Sequence, residues 1–181
     1  MLNICFTAKL FRPKATGEAV SWTFLTLPKD ASAKLPSRGM ASVEGTLNGV
    51  PFQATLDPDG QGGHWLKVDQ KLRETADVEA GELVTLEIAP VAVEPEPEVP
   101  DDLWKALAAA PPKASETWSD ITTLARRDWI HWITSGKRAE TRAKRIDVAI
   151  SKLSAGDRRP CCFDRSGMYS KSLSCPVADD P

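Results

Sequence analysis

Met40-Ala41-Ser42-Val43-Glu44-Gly45-Thr46-Leu47-Asn48-Gly49-Val50-Pro51-Phe52-Gln53-Ala54-Thr55-Leu56 decides the fold of the first half of the chain. Asn48-Gly49 suits the positive φ angles of a two-residue hairpin turn. In the second arm Val50, Phe52, Ala54 and Leu56 alternate with Pro51, Gln53 and Thr55, the period of a half-buried strand. The pair predicts an antiparallel hairpin with one face on a core.

Working outward, the same reading extends in both directions. Ile4 to Leu10 is an opening strand, and Val20 to Leu27 is a second, aromatic and β-branched, that stops at Pro28. Asp57 to Gly63 reads as a loop, rich in glycine and aspartate, and His64 to Val68 as the strand after it. Asp69 is placed to cap a short helix to Ala76. Ala80-Gly81-Glu82 is a turn, after which Val84, Leu86 and Ile88 alternate with polar neighbours in a last strand. Six short strands with little helix predict a small closed or half-closed barrel.

Glu94-Pro95-Glu96-Pro97-Glu98-Val99-Pro100 breaks the pattern. Its prolines hold it extended and its like charges oppose collapse, so it reads as an acidic linker over 93–100. Beyond it the period becomes helical. Asp101 or Asp102 caps a helix through Leu107 that ends at Pro111-Pro112, and a short helix carrying Trp118 and Ile121 follows. A third runs from about Thr123 to Thr134, with Leu124, Ala125, Trp129, Trp132 and Ile133 on its packed side. In a fourth, from Arg138 to Ala155, Ile146, Ala149, Ile150 and Leu153 form one apolar stripe that stops at Gly156. The expected organisation is therefore a barrel domain over 1–92, the linker, a helical bundle over 101–157 and an irregular tail over 158–181. The fold class is α+β.

The 181 residues are 41% hydrophobic and 27% charged, an ordinary globular mixture that excludes global disorder. No apolar run reaches the ~20 residues of a membrane-spanning helix. Met1 to Cys5 lacks the basic start and long apolar core of a signal peptide, so the expected location is the cytoplasm. The net charge of −2 is divided unevenly. Residues 1–112 hold 10 basic and 16 acidic side chains, whereas residues 113–160 hold 11 and 6. The helical part is the part able to attract an anion.

The helical sequence resembles a known family. Ala125-Arg126-Arg127-Asp128-Trp129-Ile130-His131-Trp132-Ile133, Gly136-Lys137, Glu140-Thr141-Arg142-Ala143-Lys144-Arg145-Ile146, Leu153 and Gly156 are similar to the C-terminal region of the YdeI/OmpD-associated, bacteriocin-protection family. The Phe6–Phe11 strand, Trp22, the Gly45–Phe52 hairpin and the Ala80–Val84 turn and strand resemble the small domain of unknown function that often precedes it. The resemblance implies a double-split β-barrel, of the broad fold of AbrB and MazE type DNA-binding domains, followed by a helical domain. It implies a link to envelope stress and tolerance of cationic antimicrobial peptides, with no established reaction and no catalytic residues to carry over.

Candidate site residues follow from the charge. Arg126, Arg127, Lys137, Arg138, Arg142 and Arg145, with Lys144, lie on two helices joined by a short turn, and Arg138, Arg142 and Arg145 share a stripe. They are candidates for an anionic ligand or acidic protein partner, against the commoner reading of a solvated face paired with Asp128, Glu140 and Asp147. Trp129 and Trp132 share a face and belong either to the core or to a stacking platform. His131 reads as a surface or hydrogen-bonded residue. Cys161, Cys162 and Cys175 have no zinc-ligand spacing, and no cofactor or metal is expected. Neither a Gly-x-Ser-x-Gly elbow nor a P-loop is present. The leading expectation is a non-enzymatic binding or adaptor protein. The alternatives are a nucleic-acid-binding regulator using the barrel, which the acidic balance of residues 1–112 opposes, and an enzyme with an interdomain site near His64 or His131.

Overall fold

The computed structural model describes residues 3–15, 20–160, 165–166, 168 and 173–179. They form two compact units. One comprises residues 1–92 with 164–181, the other residues 93–163.

The first unit is a nearly closed antiparallel barrel of six strands. These are β1 (Ile4–Lys9), β2 (Thr23–Thr26), β3 (Ala41–Leu47), β4 (Val50–Pro58), β5 (His64–Val68) and β6 (Leu83–Pro90), in the order β1-β6-β3-β4-β5-β2. Asn48 and Gly49 have φ of 46° and 83°, the turn the dipeptide predicts, and the β3–β4 register runs from Ala41↔Leu56 to Leu47↔Val50. The Asn48 side chain also accepts the Thr85 N–H at 2.8 Å, tying the turn to β6. Closure comes from past the end of β1. Phe11 and Phe24 exchange backbone hydrogen bonds of 2.8 and 2.9 Å, bringing the first strand segment round to β2.

The alternation predicted for β4 and β6 is present, with Leu56, Val84, Leu86 and Ile88 inside. They join Ile4, Leu10, Leu25, Val43, Leu47, Leu66 and Val68 in one core. Each such side chain contributes roughly 1.5–3 kcal/mol by leaving water. Phe24 is buried on the outer face instead, among the rings of Phe11, Trp22 and Trp65.

Two details of the barrel differ from the sequence reading. A short helix, α1 (Lys29–Ala33), follows β2, too brief for its periodicity to show in sequence. The segment read as loop from Asp57 begins later, because β4 continues to Pro58, with Asp57↔Trp65 and Pro58↔His64 paired. A second short helix, α2 (Gln70–Thr75), is capped by Asp69 accepting the Leu72 N–H at 2.7 Å. Tail residues 173–179 pair with residues 12–14 through Lys14 N–H to the Val177 carbonyl, 2.7 Å, and Asp179 N–H to the Arg12 carbonyl, 2.8 Å.

The second unit holds α3 (Asp101–Ala109), α4 (Pro112–Asp120), α5 (Thr123–Thr134) and α6 (Ala139–Ser154). Pro112 opens α4, where a missing N–H costs nothing. Thr122 caps α5 by accepting the Ala125 N–H at 3.1 Å. Gly156, at φ 90°, follows α6. Leu103, Leu107, Trp118, Ile121, Trp129, Ile133, Ile146, Ala149 and Leu153 make the core. The packed side of α5 needs correction. Leu124 is exposed and Trp132 half-buried, while Arg127 and Asp128 are buried. A buried charge needs a partner, and the partners define the next feature.

Candidate functional site

Arg126 and Arg127 open the second turn of α5 and point to different sides of it, since adjacent helical residues are about 100° apart. Both meet the segment that reads as a linker. Arg126 donates from Nε to Glu96 at 3.1 Å and holds the same carboxylate through Nη2, while Thr123 donates to it at 2.8 Å. Its Nη1 reaches the Ile121 carbonyl at 2.7 Å and the Trp118 carbonyl at 3.2 Å, at the free end of α4. Arg127, 7% exposed, pairs with Glu94, itself largely covered. The Arg126 hydrogen bond and then Thr123 hold the Glu96 carboxyl below its ordinary range.

The α6 arginines are equally engaged. Arg142 forms a two-pronged contact with Asp102, 2.6 Å from Nε and 3.0 Å from Nη2. That contact lowers the Asp102 carboxyl pKa and raises that of Arg142. Arg145 turns back to the end of α5, donating to the Trp132 carbonyl at 2.6 Å and to Ser135 Oγ at 2.7 Å, with its guanidinium 5.5 Å from the Trp132 ring centre. It acts as a side-chain cap for the α5 carbonyls. Lys137, Arg138 and Lys144 are exposed.

The six predicted cations thus divide into two groups. Arg126, Arg127, Arg142 and Arg145 each have a different internal partner, whereas Lys137 and Arg138 stand free to solvent at the α5–α6 turn. The sequence reading of ion pairs to Asp128, Glu140 and Asp147 misplaced the partners. They are Glu94, Glu96 and Asp102, and Asp128 pairs with Arg159 at 3.0 Å. The missed signal is the spacing of Glu94 and Glu96. Glu94 and Glu96, two residues apart, meet the adjacent Arg127 and Arg126 of α5. Opposite charge on the helix overrides the mutual repulsion that favours a loose linker.

Trp129 is fully buried, with its indole N–H to the Arg158 carbonyl at 3.3 Å, and belongs to the core. Trp132 meets it edge-on at 6.0 Å between ring centres. His131 is half-buried, and burial first, with the Arg127 charge second, lowers its pKa to about 4. His64 in the barrel is 1% exposed, and burial lowers its pKa. Its Nε2 lies 2.9 Å from the Gly39 carbonyl and its Nδ1 3.1 Å from Ser32 Oγ. A carbonyl only accepts, so Nε2 carries the proton and Nδ1 accepts from Ser32. Both nitrogens are engaged.

The glycine-rich loop is a hairpin connection. Asp59 accepts the Gln61 and Gly63 N–H groups at 2.7 and 2.8 Å, and Gly60 and Gly62 take positive φ. Among the described residues no three His, Cys, Asp or Glu side chains converge as metal ligands. Cys5 is exposed, and burial pushes the Cys175 thiol up to about 11, so it is a poor nucleophile at neutral pH. Cys161 and Cys162 lie outside the described residues. No described helix is long and apolar enough to cross a membrane.

Two family models match the chain. Residues 6–88 match a domain of unknown function, DUF1905, and residues 96–156 match the bacteriocin-protection, YdeI or OmpD-associated domain. The chain therefore matches a DUF1905 domain followed by a YdeI/OmpD-associated domain. No curated protein matches it. The match to the YdeI/OmpD-associated domain begins at Glu96, so one of the two linker carboxylates paired with α5 falls within that domain.

Proposed function

We propose that this protein is a non-enzymatic binding or adaptor protein that holds an acidic partner at the turn between α5 and α6. The division of the arginines carries the reading. Arg126, Arg127, Arg142 and Arg145 are spent on internal contacts, and Arg145 fixes the end of α5 directly before the turn. Lys137 and Arg138 are left exposed on that fixed turn, so little side-chain order is lost elsewhere on binding. The match of residues 96–156 to the bacteriocin-protection domain supports a related role for the interaction.

The test uses a fluorescent poly-glutamate peptide and a DNA duplex of similar charge, titrated with the protein while salt rises from roughly 50 to 200 mM. The expected result is binding of the acidic peptide that weakens with salt and falls at least about tenfold in a Lys137→Glu/Arg138→Glu variant. Unchanged affinity in that variant ends the reading. Preferential binding of the duplex replaces it with a nucleic-acid-binding role.

A further inference from the structure

A cleft of about 600 Å³ opens in the barrel unit between α1, the segment before β3 and the β4–β5 loop. Small-molecule sites commonly measure ~300–1,000 Å³ and combine an apolar lining with a few placed polar groups. Leu27, Leu35 and Met168 supply apolar wall, and Lys29 and Arg38, both exposed, supply two cationic groups. Asp59 is the one carboxylate among the described lining residues. One of its oxygens is already taken by the Gln61 and Gly63 N–H groups. The balance of lining charge is therefore positive within a unit whose sequence is acidic overall.

The wall is a built one. His64 joins α1, through Ser32, to the segment before β3, through the Gly39 carbonyl, and so holds two sides of the cleft to β5. Ser32 and Ser37 both line it. Ser37 Oγ accepts the Gly39 N–H at 3.0 Å, which leaves its own O–H as a donor for an anion. On the opposite side Gly62 holds a φ of 88° beside the Met168 side chain, so the loop backbone itself forms wall.

We propose that this cleft binds a small molecule carrying a carboxylate or phosphate group and an apolar body. The acidic group lies toward Lys29, Arg38 and the Ser37 hydroxyl, and the apolar body lies against Leu27, Leu35 and Met168. This site is separate from the α5–α6 turn and does not depend on it.

The test is a titration of the full chain with octanoate, octyl phosphate and, as a cationic control, octylammonium, followed residue by residue in amide ¹⁵N–¹H spectra. Saturable shifts at Ser32, Arg38, Gly62 and Gly63 with either anion are expected, with affinity at least about tenfold weaker in a Lys29→Glu/Arg38→Glu variant. Tighter binding of octanoate assigns the site to carboxylates, and tighter binding of octyl phosphate assigns it to phosphates. Both substitutions are at exposed positions, so the variant folds, and its unperturbed spectrum checks this. No saturable shift with either anion, equal binding of octylammonium, or an affinity untouched by the charge reversals would overturn the proposal.

Discussion

Gly45 shows how a single residue sets the barrel. A Cβ built there would lie 1.9 Å from the Glu87 carbonyl oxygen on β6, the strand with which β3 pairs at Gly45↔Ile88. Its φ is not positive, so the requirement is space rather than backbone freedom. Gly45→Ala must push two paired strands apart, and overpacking of this kind costs about 1–3 kcal/mol or more. Urea unfolding followed by the amide ¹⁵N–¹H signals of the barrel residues should show a loss of at least about 2 kcal/mol. Ser32 makes a second case. Ser32→Ala leaves His64 Nδ1 buried without the hydroxyl that donates to it, and an unsatisfied buried acceptor costs roughly 1–3 kcal/mol. The same unfolding measurement tests it. Neither role was visible in the sequence. Glycine in a strand marks only that something approaches, and a histidine names no partner 32 residues away.

The segment from Glu94 to Glu98 changes character at the scale of elements. Its prolines and like charges describe a free spacer, yet Glu94 and Glu96 fasten it along α5. The two contacts should differ sharply in strength. Arg127 is 7% exposed and Glu94 18% in its side chain, so Glu94→Ala weakens the neutralisation of a buried guanidinium and costs about 3 kcal/mol. Glu96 is 63% exposed, and water and salt screen its pair, so Glu96→Ala costs far less than Glu94→Ala. Helical circular dichroism in urea, with and without added salt, separates them. Equal losses would show that depth of burial does not decide the strength of these pairs. The hairpin of β3 and β4, by contrast, was legible, because its signals, the Asn48-Gly49 turn and the alternation from Val50 to Leu56, lie next to one another along the chain. The stripe of α6 was legible for the same reason, being a repeat along one helix.

Over the whole molecule each unit holds one histidine whose pKa is depressed, His64 in the barrel and His131 among the helices. Above the ordinary histidine value of 6.5 both are neutral, folded or unfolded, and neither penalises folding. As pH falls through that value the unfolded chain takes up protons that the folded protein refuses, so stability drops. For His131 the loss is complete only near its folded value of about 4, and it amounts to up to about 3 kcal/mol. Glu96, Asp102 and Asp120 act in a lower window. Their carboxyl pKa values are depressed by Arg126, Arg142 and Arg158, and the stability they lend disappears as pH falls below the ordinary carboxylate range. Unfolding free energy measured from pH 8 to pH 4 should therefore begin to decline near pH 6.5, and His131→Gln should flatten the part of that decline due to the helical unit. A flat profile above pH 4.5 would contradict the burial of both rings. The sequence by itself determined a strand-rich half followed by a helical half, because periods of 2 and 3.6 and turn dipeptides act between near neighbours. The tertiary structure alone decided that Phe11 closes the barrel on Phe24, that four of six candidate cations are consumed internally, and that a cleft with two free cations exists on the acidic half. Each of these depends on which distant groups the packed chain brings within hydrogen-bond reach, and local pattern carries no record of that.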